Sequence, residues 1–335
     1  MTPARQRKDG RHERETVDYN AETTSLNPAR AVPADRWPRL RHLHLGDGYR
    51  TGVFVHCPPP ESKKSKKSNR LPVVYAHGIQ SHPGWFVGSA MALAEAGHAV
   101  YQVTRRGSGA NQHARGHAAS AGQLLRDVDA ACRFAEDDAP SDAVHLVGVS
   151  WGGKLLASYA AAAQRSVRIA SLTLIAPGVV PRVDVPFGTK LGIALALLVS
   201  PRRQFDIPLS EPALFTGNEP MLEYLRRDPL RLHRATARFL YASRRLDIIL
   251  RRARQGCIDV PTTLLLARDD RIIDNAATRE AIERLSAGRA AVRQFDGAHT
   301  LEFEPDPTAL YGAIVDAVAA GRPDGLAQPS LRGAE

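Results

Sequence analysis

Ser150 stands where a serine can act as a nucleophile. It lies inside the six residues GVSWGG at 148–153, which follow the apolar run 143–147 and precede an alanine-rich segment, 154–163. This pattern predicts a strand, a sharp turn and a helix, with the serine hydroxyl exposed at the turn. The flanking glycines let the neighbouring strand and helix approach closely. An ordinary serine in a glycine-rich turn is the alternative interpretation.

A serine hydroxyl becomes a strong nucleophile when a base takes its proton and a third group orients that base. Two later residues suit these roles, because Asp270 and His299 each follow a predicted strand. The chain order Ser, Asp, His is the order of serine hydrolases built on a parallel sheet. Taken singly, the aspartate could be a helix cap or turn residue and the histidine a surface loop residue. Together the three residues predict a catalytic triad.

Asp269 is the immediate competitor of Asp270 for the acidic position. We favour Asp270, because the apolar pair 272–273 would anchor the loop and leave the preceding acid at the end of the strand. Asp274 is expected to cap the helix that follows.

Attack on a carbonyl also needs N–H donors for the developing oxyanion. The backbone N–H of Trp151, directly after the serine, is expected to be one donor. The other is expected in the loop after the first buried strand, where Gly78 would let the chain turn so that the N–H of Ile79 faces the site. We interpret His77 as a buried histidine bonded to the loop backbone. His82 either faces the substrate or is simply exposed.

Strands and helices alternate along most of the chain, which is typical of a doubly wound, mostly parallel sheet. A hairpin is predicted at 40–56. The buried strands are predicted at 73–76, 99–103, 144–147, 172–175, 260–267 and 291–295, and the helices at 85–96, 121–135, 154–163, 276–286 and 310–320.

The alternation stops at Pro177 and resumes near residue 260. The intervening segment is predicted to be mostly helical, with no strand, and to cover the carboxyl edge of the sheet, where open α/β folds bind ligands. The predicted division is a disordered segment at 1–35, a core at 36–177 and 257–320, a helical cap at 178–256 and a flexible tail at 321–335.

The composition is that of an ordinary soluble protein, with 43% hydrophobic and 24% charged residues in a chain of 335. The three cysteines are an odd number without a CxxC pair, which fits a reducing compartment. The first twenty residues lack the apolar region of a signal peptide, and the longest apolar stretch, 191–199, is too short to cross a bilayer. We therefore expect a cytoplasmic protein. Its oligomeric state is not predicted.

The net charge of +10 raises the question of nucleic-acid binding, but the basic residues are dispersed and no nucleic-acid-binding motif accompanies them. Gly107 and Gly109 match the first two glycines of a dinucleotide-binding loop, but the third is missing because position 112 is Gln112. His113 and His117 have helical spacing, but no third metal ligand is evident. No nucleic acid, cofactor or metal is therefore expected.

Three motifs together resemble those of the α/β-hydrolase superfamily: His77-Gly78, the run RRGSGAN at 105–111, and GVSWGGK at 148–154. The chain is most similar to the monoacylglycerol lipase and lysophospholipase branch, which has a helical cap, over roughly residues 37–320. The resemblance implies the α/β-hydrolase fold, with nucleophile, acid and base at Ser150, Asp270 and His299 and an oxyanion hole at Ile79 and Trp151.

The chain departs from that branch at two positions. Thr104 stands where an acidic residue usually precedes the two arginines, which weakens a structural ion pair. The loop after Gly78 lacks the further glycine that many lipases carry, which leaves the acyl-chain preference open.

The segment 178–256 contains fourteen Arg or Lys and seven Asp or Glu, so most of the net charge lies in the predicted cap. Together with the apolar run 191–199, this charge favours an apolar flap with a basic rim, which would suit a lipid ester at an anionic membrane surface. The alternative is a cap helix packed on the core, with the arginines on its solvated faces.

The sequence therefore predicts a serine hydrolase that cleaves carboxylic esters with lipid-like or medium-chain acyl groups through an acyl-enzyme. A serine aminopeptidase, a thioesterase and an acyltransferase use the same machinery and stay open as alternatives. A non-catalytic α/β binding module is the alternative from another class of protein.

Overall fold

The computed structural model describes residues 36–59, 70–162 and 165–321. The predictions for 1–35 and for 322–335 lie outside these described residues.

Ten strands are present in the described residues, and eight of them form one sheet in the order β1-β2-β4-β3-β5-β6-β9-β10. The first two strands form a hairpin, and β2 is antiparallel to β4, whereas the remaining neighbours are parallel. The predicted α/β sheet is therefore confirmed. The strands are β1 Arg39–His44, β2 Arg50–His56, β3 Val73–Ala76, β4 Val100–Val103, β5 Val144–Val149, β6 Ile169–Ile175, β7 Gln204–Asp206, β8 Arg234–Thr236, β9 Thr262–Ala267 and β10 Ala291–Phe295.

Eight α-helices connect these strands in the described part of the chain. The predicted helix at 85 begins two residues later, after a 3₁₀ turn at Pro83–Phe86, and the predicted helix at 154 begins earlier, at Trp151. The helices are α1 Val87–Glu95, α2 Ala121–Asp138, α3 Trp151–Ala160, α4 Phe187–Val199, α5 Glu219–Arg227, α6 Ala237–Arg252, α7 Asn275–Leu285 and α8 Thr308–Ala320.

The central strands are buried on both faces, as their continuous apolar runs require. All six residues of β5 are buried, and the apolar face of α2, including Leu124, Val128 and Cys132, packs into the same core. The rigid centre of the sheet thus lies directly beneath the turn that holds Ser150.

The segment between β6 and β9 differs from its prediction. It contains helices α4, α5 and α6, but also an antiparallel pair of strands, β7 and β8, in which Phe205 lies opposite Ala235. The expectation that no strand occurs there was wrong, because strands of three residues are too short to show an alternating pattern. The division of the chain into a core and a cap stays a prediction. None of the helices in the described ranges is long and apolar enough to span a bilayer.

Two buried histidines make the stability of the fold sensitive to acid. His56 shares a hydrogen bond with Gln102, and burial lowers its pKa from 6.5 to about 4. His145 contacts the Ser171 hydroxyl, and burial, with His98 nearby, lowers its pKa to about 3. The unfolded chain takes up these protons below pH 6.5 and the folded chain does not, so stability is lost as the pH falls below 6.5.

We expect each of these histidines to reduce the free energy of unfolding by roughly 1.4 kcal/mol per pH unit between pH 6 and 4.5. His145→Asn keeps a polar atom facing Ser171 and removes the titration, so its urea midpoints should fall less steeply with pH than those of the wild type. His44→Asn is the control, since His44 is exposed on β1. Equal slopes in the wild type and in His145→Asn would contradict this account.

Candidate active site

Ser150 lies at a strained turn between β5 and α3. Its φ of 54° and ψ of −121° are rarely adopted by residues other than glycine, and α3 begins at the next residue. The turn is tightly packed, because a Cβ atom added at Gly152 would lie 2.3 Å from the carbonyl oxygen of Ala76. The turn has the geometry predicted for a nucleophile elbow, with the serine at the carboxyl end of a central strand.

The structure brings the three predicted triad residues together at that edge of the sheet. His299 Nε2 lies 2.8 Å from Ser150 Oγ, and His299 Nδ1 lies 2.7 Å from Asp270 Oδ2. Asp270 and His299 are both buried. A carboxylate at Nδ1 holds the proton on that nitrogen, so that Nε2 is left to accept the serine proton.

The loop after β9 places Asp270, rather than Asp269, next to His299. Asp270 Oδ1 accepts hydrogen bonds from the backbone N–H groups of Ile272 and Ile273, at 2.8 and 3.0 Å, and both isoleucines are buried. Asp269 is exposed. Asp274 caps α7 by accepting a hydrogen bond from the N–H of Ala277, as predicted.

The predicted oxyanion donors lie on either side of Ser150. Trp151 opens α3, where the first backbone N–H groups have no partner within the helix. The loop after β3 packs against the serine, because a Cβ atom added at Gly78 would lie 3.4 Å from Ser150 Cβ. Ile79 follows in this loop and lines the same cavity as Ser150.

His77 is a buried structural histidine, as predicted. Its Nδ1 lies 2.8 Å from the carbonyl oxygen of Gly78, and its Nε2 accepts a hydrogen bond from the backbone N–H of Arg105. Burial, with the Arg105 charge nearby, keeps the pKa of His77 well below its usual value. His77 is therefore neutral, with its proton on Nδ1, and it donates to the Gly78 carbonyl.

His82 is neither exposed nor part of the cavity wall, so both predictions for it were wrong. It is buried, and its Nε2 lies 3.1 Å from Asp228 Oδ2, which also accepts a hydrogen bond from Trp85 Nε1. Burial opposes ionisation of Asp228, but the hydrogen bonds from His82 and Trp85 outweigh it and lower the pKa of this carboxyl. Asp228 is 146 residues away in sequence. No local pattern indicates this pair.

The two arginines of the RRGSG loop have different surroundings. Arg106 forms ion pairs with Asp47 and Asp127, with N···O distances of 3.0 and 2.5 Å. These two carboxylates stand in for the acidic residue that is missing at position 104. Arg105 turns inward toward Ile79 and Trp151. The sequence pattern indicates no separate role for Arg105.

A cavity of about 520 Å³ opens above Ser150. Its walls come from the core and from helices α4 and α6, and most of the lining side chains are apolar, including Ile79, Trp151, Ile193, Leu197, Leu240 and Ile273. Such a cavity has the size of a small-molecule site. Among the described residues, no group of His, Cys, Asp or Glu is placed to hold a metal ion.

Lys154 connects α3, the helix after Ser150, to α6 by hydrogen bonds. Its Nζ donates hydrogen bonds to Ser243 Oγ at 3.0 Å and to Asp247 Oδ1 at 2.9 Å, and Trp151 Nε1 also donates to Ser243. The lysine and the aspartate are both largely buried. The sequence did not indicate this pair, which links the helix after Ser150 to the predicted cap.

We expect Lys154→Met to lower the free energy of unfolding by about 3 kcal/mol, because it leaves Asp247 buried without its lysine. Replacing both residues, as Lys154→Met with Asp247→Leu, should restore most of that loss, since no buried charge is then left unpaired. Urea unfolding of the single and double variants measures both effects. A single variant as stable as the wild type would contradict a contribution from this pair.

The mostly parallel eight-stranded sheet with its connecting helices is that of an α/β-hydrolase. A family model described as serine aminopeptidase, S33, matches residues 67–306, and the chain belongs to that family. It is thus an enzyme of the hydrolase class.

Known proteins of similar sequence and structure agree with this assignment. Phospholipase YtpA of Bacillus subtilis (strain 168) is 24% identical over 243 residues, which cover 72% of this chain and 92% of that protein. A monoacylglycerol lipase of Paleococcus ferrophilus superposes with a TM-score of 0.68 at 21% identity, covering 81% of this chain and 99% of that one. A soluble variant of monoglyceride lipase from Saccharomyces cerevisiae gives a TM-score of 0.74 at 17% identity, covering 88% and 98%. The predicted resemblance to this branch of the superfamily is confirmed.

Proposed function

We propose that this protein hydrolyses carboxylic esters through an acyl-enzyme on Ser150. The observation that carries the proposal is the continuous pair of hydrogen bonds from Ser150 Oγ through the His299 ring to Asp270. A hydroxyl, an imidazole and a buried carboxylate in this order form the arrangement that activates a serine for attack on an acyl carbonyl.

In the proposed acylation step, His299 Nε2 takes the Ser150 proton as Oγ attacks the ester carbonyl. The backbone N–H groups of Ile79 and Trp151 donate hydrogen bonds to the oxyanion of the tetrahedral intermediate. His299 then gives its proton to the leaving alkoxide, and the acyl group stays on Oγ. In deacylation, His299 takes a proton from water as the water oxygen attacks the acyl carbonyl. The bond from the acyl carbon to Ser150 Oγ then breaks, Oγ takes the proton back from His299, and the carboxylic acid is released.

The cavity supports an acyl group of medium or long chain as the preferred substrate portion. Most of the side chains that line it are apolar, including Ile193 and Leu197 of α4 and the 272–273 pair, so a hydrocarbon chain would be buried there without loss of hydrogen bonds. The relatives named phospholipase and monoacylglycerol lipase support a lipid ester for this chain as well.

The family description supports a serine aminopeptidase as the second candidate. An aminopeptidase binds the ammonium group of its substrate, for which a free carboxylate in the cavity would be suitable. The two carboxylates that line the cavity, Asp184 and Asp247, are each paired with a lysine, Lys190 and Lys154. This pairing favours the esterase.

A panel of substrates separates these candidates. We expect p-nitrophenyl esters to be cleaved, with kcat/KM rising from acetate to octanoate as more of the chain is buried. Acyl thioesters and N-terminal prolyl p-nitroanilides should be cleaved more slowly, and an added alcohol should not divert the acyl group. Cleavage of the anilide without cleavage of any ester would overturn the proposal in favour of the peptidase.

We further propose that the outer face of α4 contacts an anionic membrane surface. Ala196 is the only residue of α4 that is fully buried, and the large apolar side chains Phe187 and Leu198 are 82% and 83% exposed. Arg202 and Arg203 are exposed in the turn that follows the helix. An exposed apolar stripe beside basic side chains suits a surface of acyl chains and anionic headgroups.

Phe187→Ser combined with Leu198→Ser should weaken binding to phosphatidylglycerol vesicles at least tenfold, because each side chain loses about 1.5–3 kcal/mol of apolar burial. Vesicle sedimentation measures the partition, with phosphatidylcholine vesicles as the control for the charge contribution. Equal binding by the wild type and the double variant would contradict the assignment of this face.

A further inference from the structure

Arg105 occupies an unusual position between the two predicted oxyanion donors. Its guanidinium lies against two neighbouring aromatic rings, with its central carbon 4.9 Å from the centre of the Trp151 ring and 4.8 Å from that of Phe239 on α6. Its Nη2 donates to the carbonyl oxygen of Ile79 at 2.7 Å and to Ser108 Oγ at 2.5 Å. One side chain thus contacts Ile79, Trp151 and the cap helix.

This guanidinium is buried without a compensating charge. Arg105 makes no ion pair with the described residues, and its Nε and Nη1 are buried without a hydrogen-bond partner there. Burial lowers its pKa to about 9, so it is still charged at neutral pH. Burying an unpaired charge costs several kcal/mol, and such costs are retained mainly at functional sites.

Arg105 fixes the peptide groups on both sides of Ile79. The peptide that follows Ile79 is held by the bond from Arg105 Nη2 to its carbonyl oxygen. The preceding peptide, which carries the Ile79 N–H, is held at its Gly78 carbonyl by His77 Nδ1, and the Arg105 backbone N–H binds the other nitrogen of that ring. Leu232 N–H holds the next carbonyl, that of Gln80. Position 105 therefore holds the Ile79 loop by two routes, and the route through the guanidinium is the one that requires an arginine.

We propose that Arg105 is a positioning residue for the oxyanion hole, holding the Ile79 loop and the Trp151 ring in the arrangement that stabilises the tetrahedral intermediate. This inference rests on the proposed function. A guanidinium suits the position because it can pack its flat face against aromatic rings while donating hydrogen bonds from its edge. The ammonium of lysine has neither this planar face nor the fixed arrangement of several donors.

The test compares Arg105→Met and Arg105→Lys with the wild type. Active sites are counted by exhaustive titration with a fluorophosphonate, so that kcat refers to folded enzyme. We expect kcat per site to fall by up to about a hundredfold in Arg105→Met and about tenfold in Arg105→Lys, with KM changed less than threefold. The inhibition constant of a trifluoromethyl ketone, which forms an oxyanion on Ser150, should rise by the same factor as kcat/KM falls.

Arg106→Met is the matched control, since Arg106 belongs to the same loop and stacks on Tyr49 instead. It should lose thermal stability and keep kcat per titrated site. If Arg105→Met does not fold, the agreement between ketone affinity and kcat/KM in Arg105→Lys carries the test.

Two results would overturn the inference: a kcat per site within twofold of the wild type in both Arg105 variants, or a ketone inhibition constant that does not change. A wild-type protein that reacts with no fluorophosphonate would instead overturn the proposed function, so the two failures are distinguishable.

Discussion

Replacing Ser150 with alanine is expected to lower kcat for ester hydrolysis by roughly a million-fold. The change removes the only atom at the elbow that can form the acyl-enzyme, while the backbone donors and the cavity stay in place. Steady-state assay of the purified variant with p-nitrophenyl octanoate measures the loss. The residual rate should be set by binding and by the oxyanion donors alone.

Ser158→Ala is the matched control for this variant. Ser158 lies on the same helix, is buried, and uses its hydroxyl for a bond to the Lys154 carbonyl. We expect its kcat to stay within about twofold of the wild type, because such a bond adds about 1 kcal/mol to stability and nothing to catalysis. A Ser150→Ala enzyme with more than a hundredth of wild-type activity would mean that another residue attacks the ester.

Replacing Asp270 with asparagine is expected to lower kcat by about ten-thousandfold near pH 7. The asparagine can still accept the N–H groups of Ile272 and Ile273, so the loop keeps its shape. Its amide group would then donate to His299 Nδ1, which forces the ring proton onto Nε2. A histidine in that tautomer cannot accept the Ser150 proton. Measurement of kcat and KM should place the loss almost wholly in kcat.

Asp269→Asn is the control for Asp270→Asn. It removes one negative charge from the same loop, and so shows whether kcat depends on Asp270 itself or on the charge of the loop. Asp269 is exposed beside Asp270, and its backbone N–H donates to the Gly297 carbonyl. We expect its kcat to change by less than threefold. If the Asp269 variant were the inactive one of the pair, the assignment of the acid to position 270 would be wrong.

The sequence predicted the framework of the candidate site because its signals are local. A strand, a turn of small residues and a helix specify the Ser150 elbow within twenty residues, and Asp270 and His299 each follow a strand of recognisable composition. Parallel strands end at one edge of a sheet, so these separate signals converge in space. The structure places the three side chains within hydrogen-bonding distance.

The contacts that hold this framework were not predictable from local patterns. The His82–Asp228 and Lys154–Asp247 pairs each join the sheet core to the segment between β6 and β9, across about a hundred residues or more of sequence. A buried charge pair forms only where two particular elements pack together, and the periodic pattern of a sequence does not show which elements these are. The sequence likewise indicated Arg105 only as part of a loop motif, because its contact with the Ile79 carbonyl oxygen depends on how the loops pack.

The most direct test of the central claim is the mass of the protein after reaction with a fluorophosphonate, followed by mapping of the modified peptide. We expect one adduct per wild-type molecule, located on Ser150, and no adduct on the Ser150→Ala variant. Asp270→Asn should react much more slowly at the same serine. A folded wild-type protein that takes up no label, or that carries the label on another residue, would contradict the assignment of Ser150 as the nucleophile.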